Sequence, residues 1–449
     1  MSDPEQGAPN VSRRDALSML AAAAIGGGAV SAGGGASASN VVTAGGAAPP
    51  SSPNRAAKDF RVRALTGGVS ISDFSDTGAI EATLDFLAAA KRSFESAGYM
   101  VETIRVALNP LLSAASAAAR ASAIPKLAAL DALTAGRGAV ISIGPIFSAS
   151  DSPDDNAAES IAAWAADLVR ATKVVSFSGS VASASRGVHR DALMTAARVV
   201  STLAHAGGSG IANFRFAAAA CIPPGTPFFP VAYHEGSPSL SVGLETPNLV
   251  RRAFTGMKDP ALASERLRIL LDEELHPVQQ LAHALADQGK RRYLGIDTSP
   301  APARDSSIGS ALETLTGTPF GSASTLQACA AVTAAVKSVG VSTCGYSGLM
   351  LPILEDPVLA DRVSEGRIRI SDLLLYSTVC GTGLDVVPIP GDATPADLAR
   401  LIGDVATLAV RLKKPLSARL FAVPGKRAGD RVEFADPMLC PSKVMPLEG

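Results

Sequence analysis

The sequence predicts an α/β protein organised on a mostly parallel sheet with crossover helices. Three observations lead there. From residue 60 onward, apolar runs of strand length alternate with longer stretches of helical spacing. Glycine and proline punctuate the joins between them. Apolar residues make up 47% of the chain but aromatics only 4%, so the core is assigned to Ala, Val, Leu and Ile. A chain of 449 residues is long enough for one large domain, assigned here to residues 59–449.

Taken in order, residues 1–38 read as a twin-arginine export segment. Ser12-Arg13-Arg14-Asp15-Ala16-Leu17 precedes a mildly apolar Ala/Gly run, and small residues follow at Ala36-Ser37-Ala38. This predicts a protein exported to the periplasm or cell exterior, with the twin-arginine machinery as a partner. Residues 39–58 are a Gly/Ala/Pro/Ser linker with too little apolar area to fold.

Phe60–Leu65 and Val69–Phe74 have strand character, and Gly78–Ala97 carries helical spacing. Met100–Leu108 reads as a strand. Pro110–Ala135 is helical with a break expected near Pro125. Ala139–Phe147 and Lys173–Val181 are strands around a helix over Pro153–Thr172. A helix at Arg190–Ala206 leads to a strand at Asn213–Cys221, and Pro223–Pro238 is a long loop. Thr246-Pro247 marks a helix start, with helices at Asn248–Phe254 and Ala261–Gln288. Arg292–Asp297 is a strand, Ser306 or Ser307 caps a short helix ending near Thr316, and Ser322–Ser338 is helical. Val341–Cys344 is extended. Helices at Pro357–Glu365, Ser371–Tyr376 and Pro395–Leu412 precede a hairpin of Leu416–Val423 with Arg431–Phe434.

Bulk properties exclude several function classes. The net charge is −1 with no long run of one sign, which argues against nucleic-acid binding and a basic membrane-facing surface. Beyond residue 40 no apolar run is long enough to span a bilayer. Five widely spaced cysteines without a CxxC pair suggest neither a zinc module nor a disulfide framework. A small-molecule ligand is the expected partner, with a homodimer as a further expectation.

Several ordered phrases carry a family resemblance: SISDF at 70–74, VVSFSGSV at 174–181, PFFPVAYHEG at 227–236, then GIDTSPAP, FGSASTLQA, CGYSGLMLPILED, VCGTGLDVVPIPGD and KPLSARLFAVPGKRAGDRVEF. Over residues 60–449 the chain resembles domain-of-unknown-function family 711, also called uncharacterised protein family 0210. The resemblance implies a pyruvate formate-lyase-like fold, a large α/β barrel of two half-barrels. It does not carry glycyl-radical chemistry with it. The sequence has no Arg-Val-x-Gly loop near its end and no adjacent cysteine pair, and an exported protein meets oxygen.

Acids, thiols, hydroxyls and glycines concentrate in loops between Arg292 and Asp392, where an α/β protein places its pocket. His234 is the candidate acid/base, against the alternative of a loop histidine bonded for structure. Asp297, at a strand's C-terminal end, and Cys380, before a glycine, are further catalytic candidates. Asp305, Ser306, Ser307, Cys344, Tyr346 and Ser347 are binding candidates. Asp356-Pro357 and Thr394-Pro395-x-Asp397 read as helix caps, leaving Glu355, Asp385 and Asp392 as oxygen ligands for Mg²⁺ or Ca²⁺ should they converge. The expected function is an enzyme acting on a small polar metabolite through a His/carboxylate/Cys pocket. The alternative is a non-catalytic ligand-binding protein of the cell envelope.

Overall fold

The computed structural model describes residues 58–148 and 155–447; the twin-arginine segment and nearly all of the linker lie outside them. The chain runs β1 (Arg61–Val69), α1 (Thr77–Ser96), β2 (Val101–Leu108), α2 (Ala117–Gly136), β3 (Ala139–Pro145), α3 (Asp155–Ala171), β4 (Val175–Ser183), β5 (Gly187–Val188) and α4 (Arg190–His205). A 3₁₀ turn at Ile211–Arg215 leads to β6 (Phe216–Ala220), β7 (Ser239–Glu245), α5 (Pro247–Phe254), α6 (Pro260–Gln288) and β8 (Arg292–Asp297). The last part holds α7 (Ile308–Thr316), α8 (Thr325–Lys337), α9 (Pro357–Ser364), α10 (Ile370–Ser377), β9 (Gly383–Pro390), α11 (Pro395–Leu412), β10 (Leu416–Val423), β11 (Arg431–Val432) and β12 (Ser442–Lys443).

One mixed, mostly parallel sheet holds the chain together, in the order β8-β7-β1-β2-β3-β4-β6-β10-β9, with β5 paired to β4. The strands β1, β2, β3, β4 and β6 are mutually parallel. On one side β7 joins β1 antiparallel and β8 follows parallel to β7. On the other, β10 joins β6 antiparallel and β9 follows parallel to β10. The stretch 342–353 touches both outer strands: Cys344 donates to the Ile296 carbonyl of β8 at 3.0 Å, and Ile353 to the Asp385 carbonyl of β9 at 3.1 Å.

Period-two alternation sorts side chains onto the two faces of the sheet. On β2, Ile104, Val106 and Leu108 join the main apolar core against the helices, whereas Thr103 and Arg105 line a cavity on the other face. On β10, Leu416, Ala418 and Leu420 join that core, while Ser417 and Arg419 turn the opposite way. On β6, Ala217 and Ala219 are small enough to let two chain segments cross that second face. Phe228 and Val231 come from one segment and Tyr346 and Met350 from the other, and together they form a separate apolar cluster.

Four expectations need correction. Val69–Phe74 is not a strand; β1 runs on to Val69 and the chain then turns. Helix α2 begins at Ala117 and continues through Pro125 without a break. Four strands have no counterpart in the sequence reading: β7 and β9, and the two-residue β5 and β12. Leu416–Val423 does not pair with Arg431–Phe434: β10 lies between β6 and β9, and Arg431–Val432 pairs with Ser442–Lys443. Among the described residues no helix is long and apolar enough to cross a membrane.

Candidate functional site

The polar face of the sheet carries a network of buried charges. Arg63 of β1 donates to Glu355 at 2.9 Å, Arg419 of β10 donates to the other Glu355 oxygen at 2.9 Å, and the Arg419 Nε donates to Asp385 of β9 at 2.7 Å. Glu355 is 1% exposed, Asp385 2% and Arg419 4%. Burying each ion costs several kcal/mol by itself, roughly, so their survival depends on these pairings. Burial pushes the Asp385 carboxyl up, Arg419 pulls it back and Glu355 pushes it up again. Aromatic rings flank the guanidiniums: Arg419 sits 4.8 Å from the Phe214 centroid and 5.4 Å from Phe228, and Arg105 sits 5.2 Å from Phe229. Arg105 also donates through Nε to Thr103 at 3.0 Å.

These groups border a cavity of about 300 Å³ whose wall includes Arg63, Arg105, Glu355, Arg419, Phe214 and Phe229. A pocket of roughly this size is the lower limit for a small-molecule site. Arg215 also reaches the wall, but its guanidinium is spent on the carbonyls of Val169, Thr172 and Val175. Burial lowers its pKa to about 10, which leaves it cationic at neutral pH. A second chamber of about 20 Å³ shares Arg63 and Arg105 and is bounded by Phe228, Asp297 and Ser299. That is room for about one water.

The structure separates the three catalytic candidates. His234 is buried beside the C-terminal ends of β1 and β2: its backbone N–H donates to Leu108, Nε2 lies 3.1 Å from the Gly236 carbonyl and Nδ1 lies 3.3 Å from Ser239 Oγ. Burial lowers its pKa, which favours the neutral imidazole, and both ring nitrogens are engaged. Its neighbour Gly68 is five residues along β1 from Arg63, about 16 Å of extended chain. His234 is therefore not brought to the arginine cavity. Cys380 packs in the main apolar core on the helical side. Its following glycine accommodates protein and not ligand: a Cβ on Gly381 would stand 2.7 Å from the Gly348 Cα.

Asp297 comes closest of the three, lining the small chamber. Its carboxylate accepts from Ser299 N at 3.1 Å, Ser299 Oγ at 2.5 Å, Tyr346 N at 3.2 Å and Ser347 N at 3.0 Å. It holds the turn at 345–348 in place. Burial raises its pKa against those four bonds.

The binding candidates divide in the same way. Tyr346 is buried, donates to Ser417 at 2.8 Å and meets Phe228 edge-on at 5.2 Å. Ser347 bonds the Cys344 carbonyl at 2.9 Å. Burial, then Asp297, pushes the half-buried Cys344 thiol well above its ordinary range, which disfavours a thiolate. Asp305 pairs with Arg61 and lines a surface cleft of about 860 Å³ with Arg304, Asp361 and Lys443. Ser306 is buried and its hydroxyl has no partner among the described residues. Ser307 caps α7, accepting from Ser310 N at 3.0 Å, and donates to Asp356 at 2.7 Å.

The proposed oxygen ligands do not form a cation site. Glu355 and Asp385 face guanidiniums, which would repel a metal ion, and Asp392 is exposed beyond the end of β9. No group of three or more His, Cys, Asp or Glu side chains among the described residues could hold a metal. Arg63, Arg105 and Arg419 were overlooked as site residues. The available signal was a charged residue in the middle of an apolar strand, as in Val62-Arg63-Ala64 and Ala418-Arg419-Leu420.

Comparison with known proteins gives a family and no activity. A family profile described as "Uncharacterised ACR (DUF711)" matches residues 56–436. A UPF0210 protein of Pyrobaculum arsenaticum is 30% identical over 362 residues, covering 76% of this chain and 78% of the relative. A UPF0210 protein of Syntrophotalea carbinolica is 28% identical over 291 residues, covering 62% of this chain and 64% of the relative. Another, from Acetivibrio thermocellus, is 28% identical over 285 residues, covering 60% and 62%.

Proposed function

The chain belongs to the uncharacterised DUF711 family, and from that premise we propose that it is an enzyme acting on a small polar metabolite held in the cavity beside Arg63, Arg105 and Arg419. One observation carries this: three arginines and Glu355 are buried around a single cavity of ligand size. Replacing such a network with apolar side chains is often neutral or stabilising by roughly 1–4 kcal/mol, so stability alone is a poor reason to keep it. Guanidiniums fixed against aromatic rings orient an oxygen-bearing group with little reorganisation, which is what a reacting carbonyl or carboxylate needs. Arg63 and Arg105 also border the small chamber holding Asp297, whose raised pKa suits a proton donor to a ligand reaching that far.

Two finer readings go with it. The sheet closes into a barrel of two half-barrels with the cavity inside, as in the pyruvate formate-lyase-like fold. In support, two oppositely directed sets of parallel strands meet at antiparallel seams, and residues 342–353 bond to both outer strands. The protein is exported through its Arg13-Arg14 signal, as the order of charged, apolar and small residues supports.

A thermal-shift screen of small metabolites tests the site, since a ligand that binds the folded state raises its melting temperature by mass action. Turnover of a stabilising compound, lost in Arg105→Ala with folding intact, is the expected result. Stabilisation without turnover would replace the enzyme with a binding protein. No stabilisation by any compound would remove the cavity reading altogether.

A further inference from the structure

The state of the wall's charges limits what the same cavity can hold. We infer that its ligand is a small uncharged molecule with an apolar body and one hydrogen-bond donor, the body against Val140, Val174, Ile211 and Phe214 and the donor at Ser176. The inference rests on the cavity reading above and narrows it.

Charge comes first. Neither sign is in surplus: Asp385, Asp131 and Asp297 beside the wall, with its own Glu355 and Asp436, match its five basic residues. The wall's charged side chains are also engaged with the protein, Lys173 excepted. Arg63 and Arg419 share Glu355, and Arg419 holds Asp385 as well. Arg105 donates to Thr103 and lies over the Phe229 ring, and Arg215 is taken by three backbone carbonyls. Asp436 accepts from Met438 N at 2.9 Å. Lys173 is exposed, so its ammonium keeps its water and gains little from an ion pair. A carboxylate or an ammonium ion in the cavity would lose its hydration and either stay unpaired or break one of these pairs. An uncharged ligand does neither.

The rest of the wall sets the body of the ligand. Val140, Val174, Ile211, Phe214, Pro230 and Met438 offer no side-chain hydrogen bonds. A sugar or polyol there would leave hydroxyls unpaired. The two hydroxyls of the wall spend their protons on the protein: Thr103 donates to the Arg63 carbonyl at 2.8 Å and Ser176 to the Ile141 carbonyl at 3.3 Å. Thr103 also accepts from Arg105, whereas Ser176 Oγ keeps its lone pairs for another donor. A ligand hydroxyl or amide N–H supplies that donor, and a ligand carbonyl does not. The volume of about 300 Å³ stands at the lower limit for a small-molecule site, which suits a single substituted ring or a short chain and not a nucleotide.

Isothermal titration of the full chain with benzyl alcohol, benzoate, benzylammonium and ribose tests this; the first three share one body and differ in charge. Benzyl alcohol is expected to bind, and benzoate and benzylammonium to bind at least about 10-fold more weakly. Ser176→Ala is expected to weaken benzyl alcohol by about 3-fold or more. Met438→Trp, whose ring takes up the space, is expected to abolish its binding. Either ion binding as tightly as the alcohol would overturn the uncharged class and leave the cavity standing. Ribose in place of benzyl alcohol would overturn the apolar body. Binding unchanged in Ser176→Ala would overturn the placement of the donor, and binding unchanged in Met438→Trp would put the alcohol outside the cavity and overturn the inference. If Met438→Trp does not fold, Ser176→Ala decides the location. Binding of none of the four would overturn this inference, while a ligand found in the wider screen would keep the cavity reading.

Discussion

Arg419→Met is the perturbation that most directly tests how the charged face is held together. The guanidinium bonds Asp385 and Glu355 at once, and Glu355 keeps Arg63 when Arg419 is removed. Asp385 is the group that loses its charge partner. Removing one member of a buried pair costs about 3–5 kcal/mol, and methionine fills much of the arginine stem, so little of that cost is cavity. The deficit has a pH dependence with a definite sign. Burial already places the Asp385 pKa above its unfolded value, and loss of Arg419 takes away the strongest opposing influence. A carboxyl with a raised folded pKa favours folding fully below the unfolded pKa, and that benefit disappears as pH rises through the folded pKa. The variant's folded pKa is higher still, so its deficit grows from pH 5 to pH 8, by about 1.4 kcal/mol for each pKa unit added. Urea denaturation followed by the fluorescence of Trp164, the sole tryptophan, measures it. Asp385→Asn in the same background should recover at least about 1 kcal/mol by removing the unpaired charge. A deficit below about 1 kcal/mol, or one that is the same at both pH values, would refute this account of the network.

Three further outcomes are expected. Gly68→Ala places a Cβ 2.2 Å from His234 Nδ1 and 2.4 Å from Ser239 Oγ and should destabilise the fold by about 1–3 kcal/mol; wild-type stability in Gly68→Ala, measured by urea denaturation, would contradict the packing. Asp356 caps two helices with one carboxylate, accepting from Val358 N and Leu359 N of α9 and from Ile308 N and Gly309 N of α7. Asp356→Ala should therefore cost about 2–4 kcal/mol in denaturation, against about 1 kcal/mol for Thr394→Ala, a single cap. Replacing Arg13 and Arg14 by lysine should retain the protein in the cytoplasm of a twin-arginine-competent host; unchanged export on cell fractionation would remove the signal assignment.

Legibility in the sequence followed the locality of each interaction. Caps and helix starts depend on neighbours a few residues away, so Asp356-Pro357 and the reciprocal Thr394–Asp397 capping box could be read directly. The strand β7 alternates Leu240, Val242 and Leu244 with small residues, a period-two signal that lies unassigned between the loop ending at Pro238 and the helix start at Thr246-Pro247. The strand β9 was masked by Pro388 and Pro390, which a strand tolerates at the edge of a sheet, where β9 lies. For Pro125, the surrounding α2 packing outweighed a local breaker.

The site was harder to read because its residues are set by strand parity and sheet order. Arg63, Glu355, Asp385 and Arg419 are separated by up to hundreds of positions, and nothing local distinguishes an inward arginine from a solvated one. The concentration of acids and glycines after Arg292 did mark a real location, since Glu355 and Asp297 both border the cavities. What it misidentified was sign. Carboxylates in loops read as cation ligands when counted alone, but the strands β1 and β10 bring guanidiniums against them. Glu355 in turn ties Arg63 of β1 to Arg419 of β10, one carboxylate oxygen to each guanidinium.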